Sequence, residues 1–252
     1  MEEIKALLYG NRSIGDDVPV ISIEDVDCAI AYCGLKELDA EITLRDNWLG
    51  LSAQDFELYS VCIGGVQSCR TALFRMGLRD FGIACYPKEL EIFMGRSVGI
   101  STIGKIIHRG ISSDPKFIKP VLPKKFTAFL TSDEDAYSNL YNVEYNEKVY
   151  VSDIVEFISE WRVYVKNDEI VRICNYSGKT MVFPNANVIR TMIKCWKGPC
   201  CYALDVGIVG DQTKLVEVND FYSIGNYGLF PTEYVEMLIL RWNELLGRKI
   251  PI

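Results

Sequence analysis

The chain has 252 residues, 49% of them apolar and 24% charged, the composition of a folded globular protein of one to two domains and not of a disordered chain. Its 27 basic and 34 acidic residues give a net charge of −7, which argues against a general attraction to nucleic acid or to an anionic membrane and leaves open only a local basic cleft. The longest uncharged runs, Leu58–Cys69 and Phe221–Thr232, fall short of the ~18 residues of a spanning helix, and MEEIKALLYGNR has no signal-peptide layout, so a cytoplasmic location is expected.

In chain order, VPVISI (18–23) reads as a strand, and DVDCAIAYCGL (25–35) as a short helix stopped by Gly34. YSVCIGG (59–65) reads as a buried strand running into a turn. VQSCRTALFRMGL (66–78) follows as a helix, with Val66, Cys69, Leu73 and Met76 on one face. FGIACYP (81–87) is a short apolar run halted by proline. This alternation predicts a small α/β domain over residues 1–109. That domain, with residues 35–58, is expected to shape a substrate pocket, although no motif there names the substrate.

Residues 110–252 read as a second domain, with no glycine from Ile111 to Ser177. The stretch FIKPVLPKKF (117–126) comes first, then SDEDAYSNLY (132–141) as an acidic helical segment. EKVYVSDIV and SEWRVYVKNDEIVRICNY read as a strand pair, with KNDE as a hairpin turn. Pro184–Trp196 has the spacing of an amphipathic helix. CYALDVGIV and KLVEVND are two strands around a Gly-Asp turn. The last helix is expected from about Thr232, as its N-cap, to Leu246, with Gly247 as the stop.

Nine cysteines without a CxxC pair argue for free thiols, and the single histidine, His108, has no nucleophile motif near it. Three patterns remain. In LVEVND, Glu217 and Asn219 share one strand face, and Asp205 joins them if the pairing register sets it opposite Glu217. That set suits Mg²⁺; the alternative is the polar edge of a half-buried hairpin. In EWRVYVK, Arg162 is either a fork for phosphate oxygens or a surface partner of Glu160. In FIKPVLPKKF, Lys119, followed by Lys124 and Lys125, is either a phosphate contact or a solvated lysine. Neither a Walker A motif nor GxGxxG after a strand occurs, so a nucleotide would be held in another way.

Taken in order, FIKPV, VYVSDIVEFISEWRVYV and LDVGIV…LVEVNDFYSIGNYG resemble the phosphate lysine, the adenine hinge with its E-x-R strand, and the terminal metal segment of the ATP-grasp superfamily. The likeness is closest to a clade of small ATP-grasp proteins common in phages and bacteria, and covers about residues 110–230. It implies an α/β (α+β) ATP-grasp fold preceded by a small α/β domain, with ATP and Mg²⁺ as cofactors. It implies that Lys119, and more weakly Lys125, contact the phosphates. Val151 and Ser152 form the adenine hinge, with 156–159 as a competing placement. Glu160 reaches the ribose, and Arg162 stabilises the transferred phosphoryl group. Asp205, Glu217 and Asn219 ligate Mg²⁺, while Asp220, Tyr176 and Lys179 face the second substrate. The implied reaction joins a carboxylate to an amine, which is a small molecule, a peptide or a protein, through an acyl phosphate. A kinase-like transfer and a non-catalytic nucleotide-binding or protein-binding module are the rival readings. The sequence departs from many members of the superfamily in lacking a glycine-rich phosphate loop; a lid here would be the stiffer PKKFTAF.

Overall fold

A computed structural model describes residues 3–15, 18–109, 114–123, 125–136 and 138–248. The first part contains β1 (Lys5–Tyr9), the hairpin β2 (Asn11–Gly15) and β3 (Val18–Ser22), α1 (Val26–Glu37), β4 (Glu41–Arg45), α2 (Ala53–Glu57), β5 (Val61–Ile63) and α3 (Val66–Arg75). β1, β4 and β5 pair in parallel in the order β4-β1-β5. The fully buried runs Ala6–Leu8 and Val61–Ile63 are what an enclosed parallel sheet demands.

α1 begins as expected, with Asp25 accepting from Cys28 N, but it does not stop at Gly34. It runs on to Glu37, and Asp39, in the left-handed region at φ 54°, turns the chain. Gly34 serves packing instead. A Cβ there would lie 2.1 Å from the Pro231 carbonyl oxygen, so only glycine lets α1 approach the last helix this closely.

Next come α4 (Glu91–Met94), β6 (Val98–Thr102), α5 (Ile103–Arg109), β7 (Lys116–Pro120), β8 (Phe129–Leu130) and β9 (Lys148–Asp153). They form an antiparallel sheet of order β6-β9-β7-β8 over a core that includes Ile103, Ile118, Phe129 and Val149. The sheet therefore takes β6 and α5 from before residue 110. β9 is not the hairpin partner of the following strand, as the sequence suggested, because both of its edges are taken by β6 and β7. The acidic segment 132–141 is also not an α-helix. Its described part is a chain of turns with one 3₁₀ turn at Ser138–Leu140. Asp133 accepts from Leu130 N and Ser138 donates to Asp135 O, local bonds that compete with helix.

The last sheet, order β11-β10-β12-β13, uses β10 (Ser159–Lys166), β11 (Glu169–Gly178), β12 (Cys201–Val209) and β13 (Gln212–Asp220). Asn167 and Asp168, both at positive φ, make the tight turn of the β10–β11 hairpin. One sheet face packs Val163, Leu204, Val206 and Val218 against Ile189 and Met192 of α6 (Ala186–Cys195). The other face joins Tyr164, Ala203 and Phe221 to the N-terminal sheet and to α7 (Pro231–Leu245) in a single core. α7 starts one residue before the expected Thr232 cap: Pro231 takes the first position and Glu233 accepts from Phe230 N. Among the described residues, no helix is long and apolar enough to cross a membrane.

Candidate functional site

The register of β12 and β13 places Asp205 opposite Glu217, and Asn219, two residues on, lies beside them. On the other side of β12, β10 sets Arg162 opposite Asp205. The fifth group comes from the other sheet. In β7 the side chain of Ile118 fills the core, so its neighbour Lys119 faces away and reaches Glu217.

Arg162 donates to Asp205 as a fork, Nε to Oδ1 at 2.8 Å and Nη2 to Oδ2 at 2.7 Å. Its Nη1 donates to the Gly225 carbonyl at 3.0 Å, and the Tyr227 ring covers one face of the guanidinium at 4.4 Å. Asn219 Nδ2 donates to Asp205 Oδ2 at 3.0 Å and to Glu217 Oε1 at 3.1 Å. The Lys119 ammonium donates to Glu217 Oε2 and lies 3.6 Å from the Cys85 sulfur.

Burial pushes the Asp205 carboxyl up, to about 6, against the pull of Arg162. Burial also acts on Glu217, but the Lys119 ammonium and the Asn219 amide outweigh it and leave Glu217 below the usual carboxylate range. For Lys119 and Arg162 burial works downward, and their carboxylate partners reverse it, so both stay charged. Two carboxylates and two cations thus cancel in a largely buried cluster at the cleft wall.

The set fits a hard divalent cation. Among the described residues, no group of three or more His, Cys, Asp and Glu side chains is arranged to hold a metal. Two carboxylates with an amide oxygen are nonetheless donors that magnesium takes. The groups that touch both carboxylates are N–H donors, standing where a cation's charge would stand. A half-turn of the Asn219 amide offers its oxygen there instead.

Lys119, Arg162, Glu217 and Asn219 line a cleft of about 550 Å³, large enough for a small-molecule ligand, and Asp205 is buried behind them. Its roof is lined by Pro120, at the end of β7, and by Pro123, Phe126 and Ala128 beyond it. Its far wall is the loop Tyr222–Tyr227 after β13. Pro120 and Pro123 fix their own backbone φ, and Phe126 packs against the small sheet's core.

The other candidates are scattered. Lys125 is half exposed and 4.0 Å from Glu147, while Lys124 lies outside the described residues. Val151 and Ser152 sit mid-strand in β9, paired on both sides with β6 and β7. The connection that follows β9 carries the competing hinge 156–159. There Phe157 packs so tightly on Gly207 that a Cβ would be 2.2 Å from its ring, and Ile158 N donates to Ile208 O. Glu160 accepts from the Tyr176 hydroxyl at 3.0 Å, and the Tyr176 ring stacks on Tyr227. Both Asp220 oxygens are taken by Arg241 of α7 at 2.7 Å. Lys179 and His108 are exposed.

Sequence reasoning missed three contributors. Arg96 donates to the Leu215 and Val216 carbonyls immediately before Glu217. The Tyr164 hydroxyl accepts from Tyr227 N at 2.7 Å. Cys85 lines the cleft beside Lys119. Only the alternation of β10, which groups Tyr164 with Arg162, carried any signal for them.

Comparison with known proteins identifies a family and a fold. A family model described as an ATP-grasp domain, family 2 of its clade, matches residues 93–237, more than half of the chain. No curated protein matches the sequence. Among solved structures, an ATP-grasp RimK domain protein from Sphaerobacter thermophilus is 17% identical, with a TM-score of 0.52 over 94% of this chain and 99% of that one. D-alanine–D-alanine ligase from Bacillus anthracis complexed with ATP is 10% identical, with a TM-score of 0.53 over 98% and 99%. Carboxyaminoimidazole ribonucleotide synthase from Aspergillus clavatus complexed with ATP is 10% identical, with a TM-score of 0.53 over 99% and 78%. At these identities the likeness is one of fold.

Proposed function

The chain belongs to the ATP-grasp family, and from that premise we propose that it is an ATP- and Mg²⁺-dependent ligase joining a carboxylate to an amine. One observation carries the reading: Lys119, Arg162, Glu217 and Asn219, brought from two antiparallel sheets, line one cleft, with Asp205 buried behind them and bonded to Arg162 and Asn219.

In this reading the acid's oxygen attacks the γ-phosphorus of ATP, giving an acyl phosphate and ADP. The amine then attacks the acyl carbon, an amide forms and phosphate leaves. Lys119 and Arg162 supply fixed positive charge for the transferring phosphoryl group, preorganised by their carboxylate partners. Asp205, Glu217 and Asn219 would hold Mg²⁺, which, when bound, spreads the charge of the phosphates. The remaining catalysis is positioning in the cleft.

The adenine is assigned to one of two segments, Val151–Ser152 or 156–159; the backbone of the first belongs to the sheet ladders, and in the second Ile158 is bonded to Ile208 and Lys179. Asp220 lines the cleft and is held by Arg241, which anchors the strand end that carries Asn219; it is assigned to the side of the second substrate. The substrate acid and amine remain classes, with a small amine, a peptide or a protein as acceptor.

The test is ADP release with pooled acids and amines, ATP and Mg²⁺. The reading requires release that depends on both an acid and an amine, with amide formed in equal amount, and its loss in Arg162→Ala. ADP release with a phosphorylated product and no amide would make the protein a kinase. Nucleotide binding without turnover would make it a binding module.

A further inference from the structure

The cleft's far wall is held from a part of the chain that lies outside the family match. Asn226 N donates to Oδ1 of Asp27, in the first turn of α1, at 2.7 Å across 199 positions of sequence. The same peptide group presents the Gly225 carbonyl to Arg162 Nη1 at 3.0 Å. The C=O and N–H of one trans peptide are coplanar and point in opposite directions. Carboxylate, amide and guanidinium therefore stand in line, Asp27 at one end and Arg162 at the other.

We propose that Asp27 is a positioning residue for Arg162, acting through the single peptide group that joins Gly225 to Asn226. This rests on the role given to Arg162 above. The rest of the loop leaves that peptide little freedom. Ser223 donates to Gly64 O, Tyr234 donates to Ile224 O, and Tyr164 accepts from Tyr227 N. Asn226 Oδ1 accepts from Gly228 N and Leu229 N. These bonds fix the loop's ends, while Asp27 alone holds the N–H of the peptide whose oxygen touches Arg162. The Tyr164 hydroxyl also reaches the Gly225 oxygen, at 3.5 Å, but without Asp27 the N–H end of that peptide is unheld, and the guanidinium's third anchor loosens while its fork to Asp205 stays. The N-terminal unit thereby becomes part of the phosphoryl-transfer site.

The experiment compares wild type, Asp27→Ala and Asp27→Asn by two readouts. Asn keeps an oxygen acceptor for the Asn226 N–H and removes only the charge. The first readout is the Arg162 Nε–H resonance in arginine-¹⁵N-labelled protein, assigned by its loss in Arg162→Lys. It shifts or broadens in Asp27→Ala and returns toward wild type in Asp27→Asn. The second is ADP release. In Asp27→Ala, kcat falls about tenfold with KM for ATP changed by less than about threefold, the pattern of a contact made in the transition state, and Asp27→Asn recovers most of it. An unchanged resonance in Asp27→Ala overturns the proposal. So does an Asp27→Asn protein as impaired as Asp27→Ala, because the charge and not the acceptor would then be in use. Should wild type release no ADP under any condition, the ligase reading falls, and the resonance still decides whether Asp27 holds Arg162.

Discussion

Two buried arginine–aspartate pairs, Arg162–Asp205 and Arg241–Asp220, are nearly the same object. Each is a bidentate fork at 2.7–2.8 Å with both side chains under 9% exposed. Asp220 even follows Asn219 on the same strand. Their surroundings differ. Arg241 has a further carboxylate, Glu244 at 2.8 Å, and the pair ties β13 to α7. Around Arg162 stand a second carboxylate, an amide and a lysine from another sheet, all at the wall of a cleft. A buried pair alone identifies an anchor. Both pairs border the cleft, through Arg162 and Asp220; the second carboxylate, amide and lysine gathered beside Arg162 mark the site.

The comparison breaks most directly at Arg241. Arg241→Ala leaves Asp220 buried without its partner and is expected to cost about 3–5 kcal/mol, or roughly 10 °C in melting temperature at this chain length. The protein that remains folded should still respond to ATP with Mg²⁺. An unchanged melting temperature would remove the anchor from the account.

Arg162→Lys sharpens the other side. It keeps the charge but loses the fork and the face that Tyr227 covers, so kcat for ADP release should fall by about 10²-fold. Full activity would mean that a point charge is enough.

Gly34→Ala tests the seat of α7 independently of charge. The added methyl would lie 2.1 Å from the Pro231 carbonyl oxygen, and opening that contact should cost about 1–3 kcal/mol in denaturant melts.

The smallest effect is a pH dependence. Burial holds the Asp27 carboxyl above its ordinary value. Such a group binds its proton more tightly in the folded chain, so its contribution to stability is full below the ordinary carboxyl range and is lost as pH rises through the folded value. Asp27→Asn should therefore melt somewhat above wild type at pH 7, the gap closing toward pH 3. A gap independent of pH would contradict it.

What was legible in the sequence was periodic or local. Strand alternation around 205 and 217–219 placed three polar groups together because side chains two apart must share a face. The hairpin turn at 167–168 was readable for the same reason, as turn chemistry is local. Gly34 was misread because a glycine in a helix looks alike whether it ends the helix or admits a neighbour; only Pro231, far along the chain, tells them apart. Segment 132–141 was misread because its Asp and Ser side chains favour turns as strongly as helix starts. Nothing local shows that β9, which carries Val151 and Ser152, has partners on both edges. Asp27 and Asn226 are joined by one long-range hydrogen bond, which no window of sequence contains.

The central claim is that the five converging side chains form a site for ATP with Mg²⁺. Its most direct test is the melting temperature of wild type and Glu217→Ala with millimolar ATP, with and without Mg²⁺, since a ligand that binds only the folded state must raise it. The account predicts a magnesium-dependent rise in wild type that is lost or much reduced in Glu217→Ala. No rise in wild type, or an equal rise in both proteins, would contradict it.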